Sequence, residues 1–111
     1  MVKDIVFSDW DGTASNHPEL IGMIDAIITG RSWEEAQDLF DETGDLSIPV
    51  FFNPSSSKEN DQMAIVNHKA SILNKSGATK YYEDIPEEAN MLKILCPKTK
   101  IITVKKGVTI I

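Results

Sequence analysis

The sequence predicts a three-layer α/β fold: a mainly parallel, five-stranded sheet with helices on both faces. Short apolar runs that do not alternate predict strands covered on both sides, and segments of helical period lie between them. Glycine, proline or acidic residues punctuate the junctions.

Ile5-Val6-Phe7 marks a first strand over about Lys3 to Ser8, and similar runs follow at Ile24 to Ile28, Ile48 to Phe52, Thr79 to Tyr82 and Lys100 to Val104. Only fourteen residues (24 − 9 − 1) separate Asp9 from Ile24, near the ~10–12 minimum for a parallel crossover. The first helix is therefore short, Pro18 to Met23. Ser32 and Glu35 form a capping-box pattern, Trp33, Ala36 and Phe40 share a face, and Gly44 sits where a left-handed C-terminal residue is wanted. From Glu59 to Ser76, Met63, Val66, Ala70 and Leu73 form an apolar stripe closed by Gly77. The last helix starts at Pro86, with Glu87 and Glu88 at the positive end of its dipole, and stops at Pro97. After the Lys106-Gly107 turn, Val108 to Ile111 is expected as an antiparallel edge strand.

A length of 111 residues suits one domain, residues 1–111, and 41% hydrophobic with 25% charged residues is a globular composition. The net charge of −6 disfavours a broad nucleic-acid surface without excluding a local basic patch. Acids crowd into Glu34 to Asp45 and Glu83 to Glu88, whereas Lys93 to Ile111 carries five lysines and no acid; solvated faces explain both. A single cysteine, Cys96, excludes an internal disulfide and reads as a packed small residue. No apolar run approaches the ~18 residues of a membrane span, and no leader is visible. The expectation is a cytoplasmic monomer or small homo-oligomer.

In open α/β sheets ligands sit beyond the carboxyl ends of the strands, so the residues following each strand carry the functional reading. They are Ser8 to Thr13, Thr29-Gly30-Arg31, Asn53-Pro54-Ser55 and Glu83-Asp84. Asp9 and Asp11, two apart in an extended segment, put both carboxylates on one side, and Gly12 permits a sharp turn beside them. With Asp84 they make an all-oxygen set, the preference of Mg²⁺. Thr29 beside Gly30 suits close approach to a phosphate oxygen, and Lys69 would bring positive charge to it.

Asp9-Trp10-Asp11-Gly12-Thr13 after an apolar strand, then Ile28-Thr29-Gly30-Arg31, Lys69, and Tyr82-Glu83-Asp84 before Ile85-Pro86, resembles in order the four motifs of the haloacid dehalogenase (HAD) superfamily. The resemblance runs from about Lys3 to Leu95 and implies a Rossmann-like core acting as a magnesium-dependent phosphohydrolase on a phosphorylated substrate. It makes Asp9 the nucleophile that forms an aspartyl-phosphate and Asp11 the general acid and base. Thr29 would hold a phosphoryl oxygen, and Lys69 would steady the nucleophile. Asp84, with Glu83, would hold Mg²⁺ together with Asp9 and the backbone carbonyl of Asp11. Glu83 departs from the paired aspartates of the fourth motif. The forty positions from Thr29 to Lys69 (69 − 29) leave no room for a cap, so the site is expected to be open to large substrates, a polynucleotide or phosphoprotein included. Gly30, Arg31 and Asn53 are the expected substrate contacts.

Plainer readings stand beside these. Asp9 and Asp11 also read as turn residues, Asp84 as a helix cap, and Thr29 and Lys69 as ordinary turn and surface residues. Arg31 pairs either with the acidic helix that follows it or with a phosphate. His68 is read as surface or core edge. Two rival functions remain: a non-catalytic module using the acidic pocket for metal or a partner, and a phosphoacceptor receiver domain. The latter needs an aspartate where this chain has Asn53.

Overall fold

The computed structural model describes residues 3–44 and 46–110. The strands β1 (Val6–Ser8), β2 (Ala26–Ser32), β3 (Val50–Asn53), β4 (Lys80–Glu83) and β5 (Lys100–Thr103) form one sheet in the order β3-β2-β1-β4-β5. Every pairing is parallel. Helices α1 (Ala36–Thr43), α2 (Gln62–Ser76) and α3 (Pro86–Leu95) lie between them.

Alternate residues of each strand feed two separate cores, as the two-residue strand period requires. Phe7, Ala26, Ile28, Tyr81 and Ile101 meet Val66, Ala70 and Leu73 of α2 and Ala89 and Leu92 of α3. Ile27, Tyr82 and Val104 instead join Leu20, Ile24 and Leu39 of α1. Cys96 is buried in the first core, as expected of a small packed residue.

The chain winds outward from β1 through β2 to β3, then returns to place β4 on the other side of β1. This reversal leaves a crevice at the carboxyl ends of β1 and β4, where ligands of open α/β sheets bind. Ser8 is in register with Tyr82, so the residues after each strand, Asp9 and Glu83-Asp84, emerge side by side.

Several sequence expectations need correction. The first strand begins at Val6, and β2 runs on through Arg31, so Thr29-Gly30-Arg31 belong to the strand itself. The short first helix is a single tight turn, Pro18–Leu20. Ser32 and Glu35 do make the capping box, but the turn they start, Trp33–Glu35, has three residues per turn. That advances the face by about 60° over three residues relative to an α-helix. Trp33 and Phe40 are consequently exposed, and Leu39 is the residue buried. Phe40 still meets Phe52 edge-on, with ring centroids 5.8 Å apart.

In α2 Met63 is exposed, and the stripe that faces the core is Val66, Lys69, Ala70 and Leu73. Asp61 caps this helix through Ala64 N–H at 2.8 Å, and Gly77 ends it in the left-handed conformation. The expected terminal edge strand is not formed by Val108 to Ile110; Ile110 N–H donates to the side chain of Glu19 at 3.0 Å instead, and Ile111 lies outside the described residues. Among the described residues no helix is long and apolar enough to cross a membrane.

Leu73 is fully buried between α2, α3 and the sheet, so Leu73→Ala is expected to cost about 2–5 kcal/mol in chemical denaturation. Ile94→Ala, at an exposed position on α3, is expected to stay within about 0.5 kcal/mol.

Candidate active site

Asp9 leaves β1 in an extended conformation, its N–H bound to Tyr82 C=O at 3.0 Å, so β4 fixes where its side chain starts. A wide turn follows over Trp10–Ala14, closed by Ala14 N–H to Asp9 C=O at 3.2 Å. Within it Gly12 has φ +75, a conformation only glycine adopts cheaply, and its bare Cα faces Asp84. A Cβ there would lie 2.1 Å from Asp84 Oδ2, so glycine is what lets the Asp84 carboxylate lie against the turn. Thr13 Oγ1 spans the same gap, 3.1 Å from Asp84 Oδ1 and 3.4 Å from Asp9 Oδ2.

Lys69 enters from the core-facing stripe of α2 and is 2% exposed. Its ammonium meets Glu83 Oε1 at 2.6 Å and both Asp9 Oδ1 and Glu88 Oε1 at 3.3 Å. Glu83, at the end of β4, is fully enclosed: Oε1 also accepts from Tyr81 hydroxyl, and Oε2 accepts from the backbone N–H groups of Asp84 and Ile85. Oxygens of Asp9, Glu83 and Asp84 all lie within 4.8 Å of one another.

Three buried carboxylates, those of Asp9, Glu83 and Glu88, thus share a single ammonium, and Asp84 adds a fourth carboxylate beside Asp9 and Glu83. Burial pushes Asp9 well above the ordinary carboxylate range, and Glu83 and Asp84 add to this against the pull of Lys69. Glu83 is raised as well, mainly by burial. Burial works against the charge of Lys69, but Asp9, Glu83 and Glu88 outweigh it and raise its pKa. Such a cluster calls for a proton or a further cation, and its donors are all oxygen, which fits a hard ion of the Mg²⁺ class. Glu83 already spends both oxygens on Lys69, Tyr81 and backbone N–H groups, so Asp9 and Asp84 have the freer ones.

Beside the cluster opens a cleft of about 260 Å³ lined by Asp9, Asp11, Gly30, Arg31, Lys69 and Glu88, with Asn60, Ile65 and Ile85 at its walls. Gly30 is needed for closeness rather than for its backbone angles, because a Cβ would come within 2.8 Å of Ile65 on α2. Asp11 stands apart from the metal-type cluster: its carboxylate is exposed and gripped by Arg31, Nε to Oδ2 at 2.9 Å and Nη2 to Oδ1 at 2.7 Å. Arg31 also reaches Glu42 on α1, so it pairs with the acidic helix after all. These two acids raise its pKa.

Two expected contacts lie elsewhere. Thr29 is buried outside the cleft lining, and its hydroxyl accepts the N–H of Arg31 at 3.1 Å. Asn53 is also buried; its side chain donates to Asn60 at 2.6 Å and accepts from Ser55 N–H. Asn60, which donates to Gly30 C=O at 2.7 Å, is the one that reaches the cleft. His68 lies outside it, near Phe51 C=O. Sequence reasoning missed Thr13, Glu42, Asn60 and Tyr81 as members of this constellation, and read Glu88 only as a helix-dipole residue. Comparison with family models, curated proteins and solved structures finds no match for the chain.

Because the folded-state pKa of Asp9 is raised, the unfolded chain gives up its proton first as pH rises. Metal-free protein is therefore expected to lose stability from the ordinary carboxylate range upward. Asp9→Asn removes that slope, so thermal denaturation in chelator is expected to show a variant more stable than wild type at pH 8 and less so at pH 5.

Proposed function

We propose that the chain is a small, capless, Mg²⁺-dependent phosphohydrolase of the HAD type, with a three-layer Rossmann-like core and Asp9 as its nucleophile. The observation that carries this reading is a buried aspartate at the switch point of a parallel sheet. That aspartate faces a lysine on one side and oxygens of Asp84 on the other, and it lines an open cleft. Three of the four sequence motifs supply its parts in chain order, Asp9, Lys69 and Glu83-Asp84, whereas Thr29 of the second lies outside the cleft lining. Between Thr29 and Lys69 the chain forms the end of β2, α1, β3 and the start of α2, which supports an uncovered site.

The chemistry follows from the residues in place. An Asp9 oxygen attacks phosphorus as the ester P–O bond breaks, giving an aspartyl-phosphate, and the leaving oxygen takes a proton from Asp11. Water then attacks the aspartyl-phosphate, Asp11 accepts its proton, and the carboxylate of Asp9 is regenerated. Lys69 offsets charge on Asp9 and on a phosphoryl group beside it. Glu83 and Glu88 hold that lysine in position. Mg²⁺, held chiefly by Asp9 and Asp84, would supply the charge that lets an anionic nucleophile and an anionic phosphoryl group meet.

A rival reading is a non-catalytic module that uses the pocket for a metal or partner. Two features favour it: Asp11 is tied to Arg31, and Glu83 stands at the fourth motif. Turnover separates the two. With Mg²⁺ and an aryl phosphate at neutral pH, release of phosphate is expected, falling by about 10³-fold or more in Asp9→Asn and lost with excess chelator. Equal rates in wild type and variant would remove Asp9 as nucleophile, and the absence of any turnover would favour the binding module.

A further inference from the structure

Of the two cations lining the cleft, Lys69 is buried and Arg31 is partly exposed, and Arg31 is already paired with the protein's own acids. Its Nε and Nη2 hold both oxygens of Asp11, and its Nη1 and Nη2 hold both oxygens of Glu42. Only Asp11 of these two acids lines the cleft; Glu42 grips the guanidinium from α1, behind it. A planar guanidinium binds a carboxylate and a phosphoryl group through the same two-pronged geometry, so each can replace the other with little rearrangement. The side chain of Arg31 is 16% exposed and that of Asp11 is 55% exposed, so a ligand entering the cleft meets the pair from the Asp11 side.

We propose that Arg31 is an exchange latch: a phosphoryl group entering the cleft takes the place of Asp11 on the guanidinium, while Glu42 keeps the arginine in position. This rests on the phosphohydrolase reading and deepens it. In the resting protein both carboxylate oxygens of Asp11 are taken up by Arg31. Arrival of the phosphoryl group frees those oxygens at the cleft wall. Ligand binding and release of Asp11 are thereby coupled through one side chain, and the closed Asp11–Arg31 pair is the resting state. Glu42 is a positioning residue in this scheme, since it touches Arg31 and not the ligand.

The test is a double-mutant cycle read by inorganic phosphate binding in the presence of Mg²⁺, with no turnover required. In the wild-type background phosphate must break the Asp11–Arg31 pair, so Asp11→Asn is expected to tighten binding by about fivefold or more. With Arg31→Gln the same substitution is expected to change affinity by no more than about twofold. Arg31→Lys, which keeps the charge but loses the fork, gives the same loss of coupling if the glutamine variant fails to fold. Asp38→Asn, an equal charge change elsewhere on α1, is expected to leave phosphate affinity within about twofold of wild type. An equal gain from Asp11→Asn in both backgrounds, no gain, or no phosphate binding at all would overturn the latch. The coupling seen in a protein that hydrolyses no aryl phosphate would keep the latch and remove only the hydrolytic reading; hydrolysis without coupling would do the opposite.

Discussion

One buried ammonium allows three buried carboxylates to share a pocket, and the rest of the site is arranged around that fact. Lys69 reaches the pocket because it lies on the apolar stripe of α2, where an unpaired charge would be prohibitively costly. Its partners come from three other places: Asp9 after β1, Glu83 at the end of β4 and Glu88 in the first turn of α3. The contact therefore ties together the central strand pair and two helices. It also leaves the pocket short of positive charge once Asp84 is included, and that deficit is the physical reason to expect a cation there.

An outer pair, Asp11 with Arg31, differs from the inner cluster in exposure and so in energetics. Inner contacts are shielded from water, where charge interactions are strong and desolvation is costly; the outer pair is wet and screened, where exchange with a ligand is cheap. Fixed charge inside and exchangeable charge outside is the division that the proposed phosphohydrolase would need, since it must hold a nucleophile still and admit an anion. The short chain achieves this with a single turn after β1, whose Gly12 lets Asp84 lie against backbone.

Much of this was legible in the residues themselves. Non-alternating apolar runs marked all five strands, and Gly77, Pro86 and the Ser32–Glu35 capping box marked helix ends within a few positions. The fate of Lys69 was legible too, though unread: Val66, Lys69, Ala70 and Leu73 have the i, i+3, i+4, i+7 spacing of a buried face. What the sequence concealed were facts of tertiary geometry. The tight turn at Trp33–Glu35 rotated α1 and exposed Trp33. Asn60 displaced Asn53 at the cleft through a hydrogen bond seven residues long in sequence. Arg31 claimed Asp11 across twenty residues. No local pattern encodes such pairings, because they depend on where separate strands end.

The most direct measurement is calorimetric titration of metal-free protein with Mg²⁺ near pH 7.5, beside Asp84→Asn. One saturable site is predicted for wild type, and a site at least about tenfold weaker in the variant. Identical, unsaturable traces from both proteins would contradict the account, since the carboxylates at the ends of β1 and β4 would then share no cation.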